Sequence, residues 1–218
     1  MACFGMMMSG DVLCLYGAGG HGRVIARQAR SCGWQTIVFA DAGKPLGQVV
    51  AGFPVRFAGI DTIEADAVLI AIGDNAIRRQ RQEEALAAGH NLAVLIAEPS
   101  RHFGEAPGAG TVILAGSVVN DAAHLGSGVI VNTAAVVEHD AVVGDFAHVA
   151  PGAVLGGGAR LGQQSLLGSN ATILPGVSVG DNITVGAGAV VTDDLVEPGV
   201  YVGVPARRIS PKEQARQS

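Results

Sequence analysis

From Ile113 to Val191 an aliphatic residue returns at every sixth position: Ile113, Val119, Leu125, Val131, Val137, Val143, Val149, Leu155, Leu161, Leu167, Ile173, Val179, Val185 and Val191. The residue four places after an anchor is small at nearly every step, as at Ser117, Ala123, Ala135, Ala147, Ala159 and Ala171, with Ile183 the one large entry. A step of six matches neither a helix face nor a plain alternating strand. It matches a short strand plus a tight turn, repeated, which is the hexapeptide pattern of a parallel β-helix. The small residue and the next anchor lie two apart, so both face inward and the residue between them faces out. Glycine often follows the anchor (Gly126, Gly144, Gly156, Gly162, Gly168, Gly180, Gly186), which predicts positive φ at that point of the turn.

Three hexads close one triangular coil, so each outer face repeats every 18 residues. The first face then carries Val118, Val136, Val154, Thr172 and Val190. The second carries His124, Val142, Arg160 and Ser178, and the third Ile130, His148, Leu166 and Thr184. A nearly all-valine outer face does not stay wet. It predicts contact with another copy, and a three-sided prism with one apolar side predicts a closed homotrimer.

Upstream the rhythm changes. A buried strand, Asp11–Tyr16, runs into Gly17-Ala18-Gly19-Gly20-His21-Gly22 and a helix to about Cys32. A second strand, Thr36–Ala40, ends at Asp41. This is a β-loop-α-β unit with glycines at the turn, suited to an anion at a helix N-terminus. The ligand is a dinucleotide or a smaller nucleotide or nucleotide sugar; the unit is too short for two mononucleotide halves. Further strands are expected at Val55–Phe57, Ala67–Ile72 and Leu92–Ala97, with a helix Asn75–Ala88 capped by Asp74. The domain reading is a leader at 1–10, a Rossmann-like α/β unit at 11–98, a linker at 99–112 with His102 in a solvent-side loop, a prism with C-terminal cap at 113–209, and a tail at 210–218.

Composition narrows the function classes. Aromatics make up 4% and the net charge is −5, which argues against nucleic acid or an anionic membrane as partner. Three cysteines, Cys3, Cys14 and Cys32, show no pairing pattern. They suggest free thiols in a reducing compartment. With no signal peptide or membrane span in the sequence, the expectation is a cytoplasmic protein.

Within the prism, polar chemistry concentrates at His139-Asp140 and at His148, nine residues on. Nine residues is half a coil, so the two histidines lie on opposite sides of one prism and share a site only between neighbouring subunits. An imidazole beside a carboxylate is a general base at neutral pH, suited to acyl transfer, with a coil N–H for the oxyanion.

The run Val131 to Asp140 with His148 following resembles the central motif of the PglD/NeuD-type bacterial sugar acyltransferases. The opening Tyr16 to Gly22, the stretch Ala71-Ile72-Gly73-Asp74-Asn75 with Arg78, and Gly203-Val204-Pro205-Ala206 are similar to the same family. The resemblance implies a left-handed parallel β-helix, a homotrimer, acetyl-CoA as co-substrate and no metal. It implies that the N-terminal domain binds a nucleotide-linked amino sugar, whose amine is acetylated. On it, His139 is the general base and Asp140 its partner, with Asn132 near the reacting centre. His148 comes from the neighbouring subunit and contacts the thioester. Gly168, Ser169, Gly186 and Ala187 line the coenzyme groove. Gly19, Gly20 and His21 meet the substrate phosphates or sugar, Asp41 the base or ribose edge, and Gly73 packs close by. Ala42 stands where the family often has a second acidic residue, and Glu98-Pro99-Ser100-Arg101 replaces the usual His-Pro-Ser-Ala. The alternatives are O-acetylation of a sialic-acid-type sugar, a γ-type carbonic anhydrase, which needs three converging histidines, and a non-catalytic nucleotide-binding scaffold.

Overall fold

The computed structural model describes residues 11–210. The leader at 1–10 and the tail from 211 onward lie outside the described residues. In the N-terminal unit, β1 (Val12–Tyr16), β2 (Thr36–Ala40) and β5 (Ala67–Ile70) are parallel, with a hairpin of β3 (Val49–Val50) and β4 (Phe53–Phe57) at the edge. The strand order is β3-β4-β2-β1-β5. Alternation along β1 builds two cores. Leu13 and Leu15 pack under α1 (Gly20–Ser31), against Ile25 and Ala29, while Cys14 and Tyr16 face the side of α2 (Asn75–Ala87), against Ala85. The Asp74 side chain accepts the Ile77 N–H at 2.8 Å and starts α2.

The order reverses at β1, whose neighbours are β2 and β5. Such a reversal opens a crevice beyond the carboxyl ends of the strands. Here it sets the Gly17–His21 loop beside the Ile72–Asn75 loop.

The second body is a parallel β-solenoid, a left-handed β-helix prism. Its strands are two residues long, one side chain out and one in, and the inward anchors from Ile113 to Val191 are 0–2% exposed. The three outer columns expected from the 18-residue spacing are the three sheet faces: Val136 pairs with Val118 and Val154, Val142 with His124 and Arg160, and His148 with Ile130 and Leu166. At the far end Gly199–Val202 and Arg207–Arg208 form an antiparallel pair, and Tyr201 and Ala206 close the core.

Three readings are corrected. The strand expected at Leu92–Ala97 does not complete the N-terminal sheet: Leu92 makes only a bridge to Val68, and Leu95–Ile96 pairs with Val112–Ile113 in the prism. Arg101–His102 pairs with Val118–Val119, so the coil starts inside the expected linker. His102 therefore pairs with an inward anchor rather than lying in a solvent-side loop, and its Nε2 is buried.

Glycine after the anchor has a different cause from the one expected. Positive φ falls three places after the anchor, as at Asp140 (59°) and Gly158 (65°). Gly144 and Gly168 are instead crowded by the next coil: a Cβ on Gly144 would lie 2.6 Å from the Gln163 nitrogen, and one on Gly168 2.7 Å from the Ala187 nitrogen. Stacking of corners, not turn conformation, excludes a side chain there. Among the described residues no helix is long and apolar enough to cross a membrane.

Candidate functional site

The crevice at the reversal of β1 opens onto the third prism face. Gly19, the N-cap of α1, has no side-chain cap, and the space where Gly19 and Gly73 would carry side chains is open. Bare N–H groups at a helix start, with room in front of them, suit an anionic ligand. Gly22 is closed in: a Cβ there would strike the Gly17 carbonyl. Asp41 is committed to holding the loop, its Oδ2 accepting from Ala18 N–H at 2.8 Å and its Oδ1 from Gly43 N–H at 2.9 Å.

A cavity of about 320 Å³ lies where α2 begins, between Gly73–Ala76 and the prism side chains His148, Gln164, Leu166, Asn182 and Thr184. His21 of α1 packs beside His148, their ring centroids 6.5 Å apart. Asn132 approaches His148 from the preceding corner, Nδ2 to Nε2 at 3.0 Å. The chain thus brings together His21, Gly73, Asn132 and His148. Burial, the positive charge of Arg78 and the neighbouring His21 hold His148 down to about 3. Burial and Arg78 likewise hold His21 at about 4.

These depressed values link pH to stability. In the unfolded chain each imidazole takes a proton near 6.5, whereas in the folded chain both stay neutral well below that. The unfolded state therefore binds more protons as pH falls from 6.5 toward 4, and stability falls with it, by on the order of a few kcal/mol. Urea midpoints at pH 7 and 4.5 should show this drop, and it should shrink in a His21→Gln, His148→Gln double variant.

His139 stands elsewhere, at the corner between the first and second faces. It is 64% exposed, and its Nδ1 lies 2.8 Å from Asp140 Oδ2. The hydrogen bond to Asp140 and the carboxylates of Asp140 and Glu138 raise its pKa. Glu138 is steadied by Asn120, whose Nδ2 donates at 2.8 Å. The imidazole rests over Gly157 of the next coil, where a Cβ would come within 2.7 Å of Nε2. Gly157→Val is expected to displace the ring, which histidine-ring proton–nitrogen spectra would report, with an unchanged melting profile as the check on fold.

Gly168, Ser169, Gly186 and Ala187 occupy two stacked corners between the third and first faces, tied by Gly188 N–H to Ser169 O at 2.9 Å. They border the face that carries His148, and one chain does not join them to His139. Sequence reasoning gave no chemical role to Asn75, Arg78 and Gln82. The stripe Arg78, Gln82 and Ala85 is the buried side of α2, so polar residues at helical core spacing were the available signal.

The N-terminal unit matches the PglD N-terminal domain family over residues 12–85, and residues 158–193 match the hexapeptide repeat of succinyl-transferase. The acetyltransferase domain of PglB from Neisseria gonorrhoeae, solved in complex with acetyl coenzyme A, is 38% identical, with a TM-score of 0.87 over 91% of this chain and 99% of that one. This chain belongs to the PglD-type family of hexapeptide-repeat sugar acyltransferases. Perosamine N-acetyltransferase from Caulobacter crescentus, solved as a His→Asn variant with CoA and GDP-perosamine, is 31% identical, with a TM-score of 0.83 over 91% of this chain and 96% of that one. WeeI from Acinetobacter baumannii, 24% identical with a TM-score of 0.77 over 91% of this chain and 99% of that one, shares the PglD-type fold. No curated protein sequence matches the chain.

Proposed function

We propose that this PglD-type protein transfers the acetyl group of acetyl-CoA to the amine of a nucleotide-linked amino sugar, at sites formed between the copies of a homotrimer. The observation that carries this reading is the pairing of an exposed, carboxylate-backed imidazole at one prism corner with an anion-ready crevice on another face. Neither half is complete alone. The relatives solved with acetyl-CoA, or with CoA and GDP-perosamine, supply ligands of the matching chemistry.

The first prism face supports assembly. Val118, Val136 and Val154 are half-buried in the single chain and form one apolar strip, with Val190 beyond Thr172 on the same face. A head-to-tail use of that strip around a three-fold axis closes a ring. It sets the His139 corner of one copy against the third face and the Gly168–Ala187 corners of the next.

In the reaction, the phosphates lie at the start of α1, near Gly19, Gly20 and His21, and the base or ribose lies toward Asp41. Coenzyme A follows the groove bordered by Gly168, Ser169, Gly186 and Ala187, and its thioester meets His148 and Asn132. The amine lone pair attacks the thioester carbon. With Nδ1–H donated to Asp140, His139 Nε2 is free to take the ammonium proton of the tetrahedral intermediate. The carbon–sulfur bond breaks, the amide forms, and the thiolate leaves. No backbone hydrogen bond uses the Gly157 N–H among the described residues. It sits beside His139, so it is placed to donate to the oxyanion.

The test is mass spectrometry of products after incubation with acetyl-CoA and a panel of nucleotide amino sugars and their hydroxyl counterparts. The expected result is one acetyl group added to an amino member of the panel. Acetylation of the hydroxyl members alone would instead make it an O-acetyltransferase.

A further inference from the structure

Arg78 lies in the first turn of α2, at the start of its buried side, and is 1% exposed. None of its hydrogen bonds among the described residues goes to a carboxylate. Nη1 donates to the carbonyls of Ile72 (3.1 Å) and Gly73 (3.0 Å), Nη2 to Asn75 Oδ1 (2.8 Å) and the Phe146 carbonyl (2.7 Å), and Nε to the Gly128 carbonyl (2.7 Å). One guanidinium thus spans the crevice loop of the N-terminal unit and two stacked corners of the prism. A flexible ammonium has neither the number of donors nor the fork for this. Burying such a charge unpaired is unfavourable, and an apolar residue would fill the same stripe without that penalty.

What Arg78 reaches explains its presence. Phe146 and Ala147 lead directly into His148, and the Gly73 backbone lies at the same cavity as the His148 ring. The other side of that ring is set independently. Asn132 Oδ1 accepts the Thr133 N–H at 2.8 Å, which turns the amide NH₂ toward His148 Nε2 at 3.0 Å. Nε2 must then present a lone pair, so the proton sits on Nδ1 and the ring is neutral. The groups facing His148 are His21 from α1, Arg78 from α2, Asp74 at the same cavity, and the uncharged Ile130 and Leu166 from the coils on either side.

We infer that Arg78 is a positioning residue for acetyl transfer: it locks the nucleotide-sugar domain onto the prism and holds His148 toward the thioester as a neutral ring in a single tautomer. The inference rests on the reading of His148 as the group that meets the thioester. The positive charge opposes a second proton, and the fork fixes both the loop that touches the ring and the corner that carries it.

The experiment compares the intact wild type with Arg78→Met, Arg78→Lys and Gln82→Leu. Gln82 is the control: it is equally buried in α2 and donates to the Ala109 carbonyl at 3.1 Å, away from His148. Long-range proton–nitrogen spectra of the histidine rings report protonation and tautomer without reference to turnover. Wild-type His148 should stay neutral, with its proton on Nδ1, from about pH 8 to pH 5. In Arg78→Met the ring should protonate or mix tautomers in that range. Arg78→Lys, which keeps the charge, should stay neutral but lose the single tautomer. In both, kcat should fall roughly tenfold to a hundredfold, with the KM for acetyl-CoA within about threefold. Gln82→Leu should leave the ring spectra and kcat unchanged. A wild-type His148 that is protonated or of mixed tautomer, or Arg78 variants with unaltered spectra, would overturn the inference. Altered spectra with undiminished turnover would instead overturn the placing of His148 at the thioester. If Arg78→Met does not fold, the wild-type spectra and the lysine variant still decide.

Discussion

His139→Ala is expected to lower kcat for acetyl transfer by about 10²–10⁴-fold, with melting temperature and assembly unchanged. The imidazole is mostly exposed and is hydrogen-bonded to the adjacent Asp140. Its removal leaves no cavity in the prism core. The ring acts only when Nε2 is unprotonated, and Asp140 and Glu138 raise its pKa above the usual 6.5. Activity should therefore fall on the acid side of a midpoint above 6.5. Asp140→Asn removes the carboxylate that favours the proton, so the midpoint should move to lower pH while the maximal rate drops. Initial rates across pH, with a saturating nucleotide amino sugar, check both statements. A His139→Ala protein with near-wild-type turnover would remove the base from the mechanism.

Val154→Arg is expected to abolish both assembly and activity while leaving each chain folded. Val154 lies at the middle of the first face, between Val136 and Thr172. Its side chain points away from the core, whose inward position in the same strand is Leu155. A guanidinium there costs the single prism little. In a closed ring, one substitution enters every interface, and like charges facing each other across a seam cost several kcal/mol, roughly. Sedimentation should show monomers at micromolar concentration, and turnover should fall by more than about a hundredfold because the His139 corner no longer meets the third face. A monomeric variant with full activity would show that one chain carries a complete site.

Much of the prism was legible because its repeat is strict. Once inward anchors six apart are accepted, the outer residues fall into columns, and Val118–Val136–Val154 or Ile130–His148–Leu166 follow by counting. The start of the coil was hidden because Leu95 and Val112 pair at a spacing of 17 rather than 18. The glycines after the anchors were read as turn formers. Their constraint comes from the coil above, a contact between residues 19 apart, such as Gly144 and Gln163, that local conformation does not reveal.

The docking of the two bodies was harder to see. Helices usually advertise a buried side with an apolar stripe, but α2 uses Arg78 and Gln82, and α1 contributes Gln28, whose Oε1 accepts the Ala115 N–H at 3.2 Å. These side chains answer the carbonyls and N–H groups of prism corners, which a sequence pattern does not display. Hence His148 was legible as an outward residue, but not as one covered by its own N-terminal domain. Asp41 is a similar case. Its position after β2 suggested a ligand contact, and the carboxylate has a further task that the sequence did not display: it accepts the N–H groups of Ala18 and Gly43 and so shapes the loop itself.

The seam between copies can be tested by complementation. His139→Ala and His148→Ala proteins, each inactive alone, are dissociated, mixed in equal amounts and allowed to reassemble. With His139 supplied by one copy and His148 by the next, mixed trimers contain some sites with both histidines, and about a quarter of wild-type activity should return. A mixture that stays as inactive as its parents, with mixed trimers confirmed by mass, would contradict a shared site.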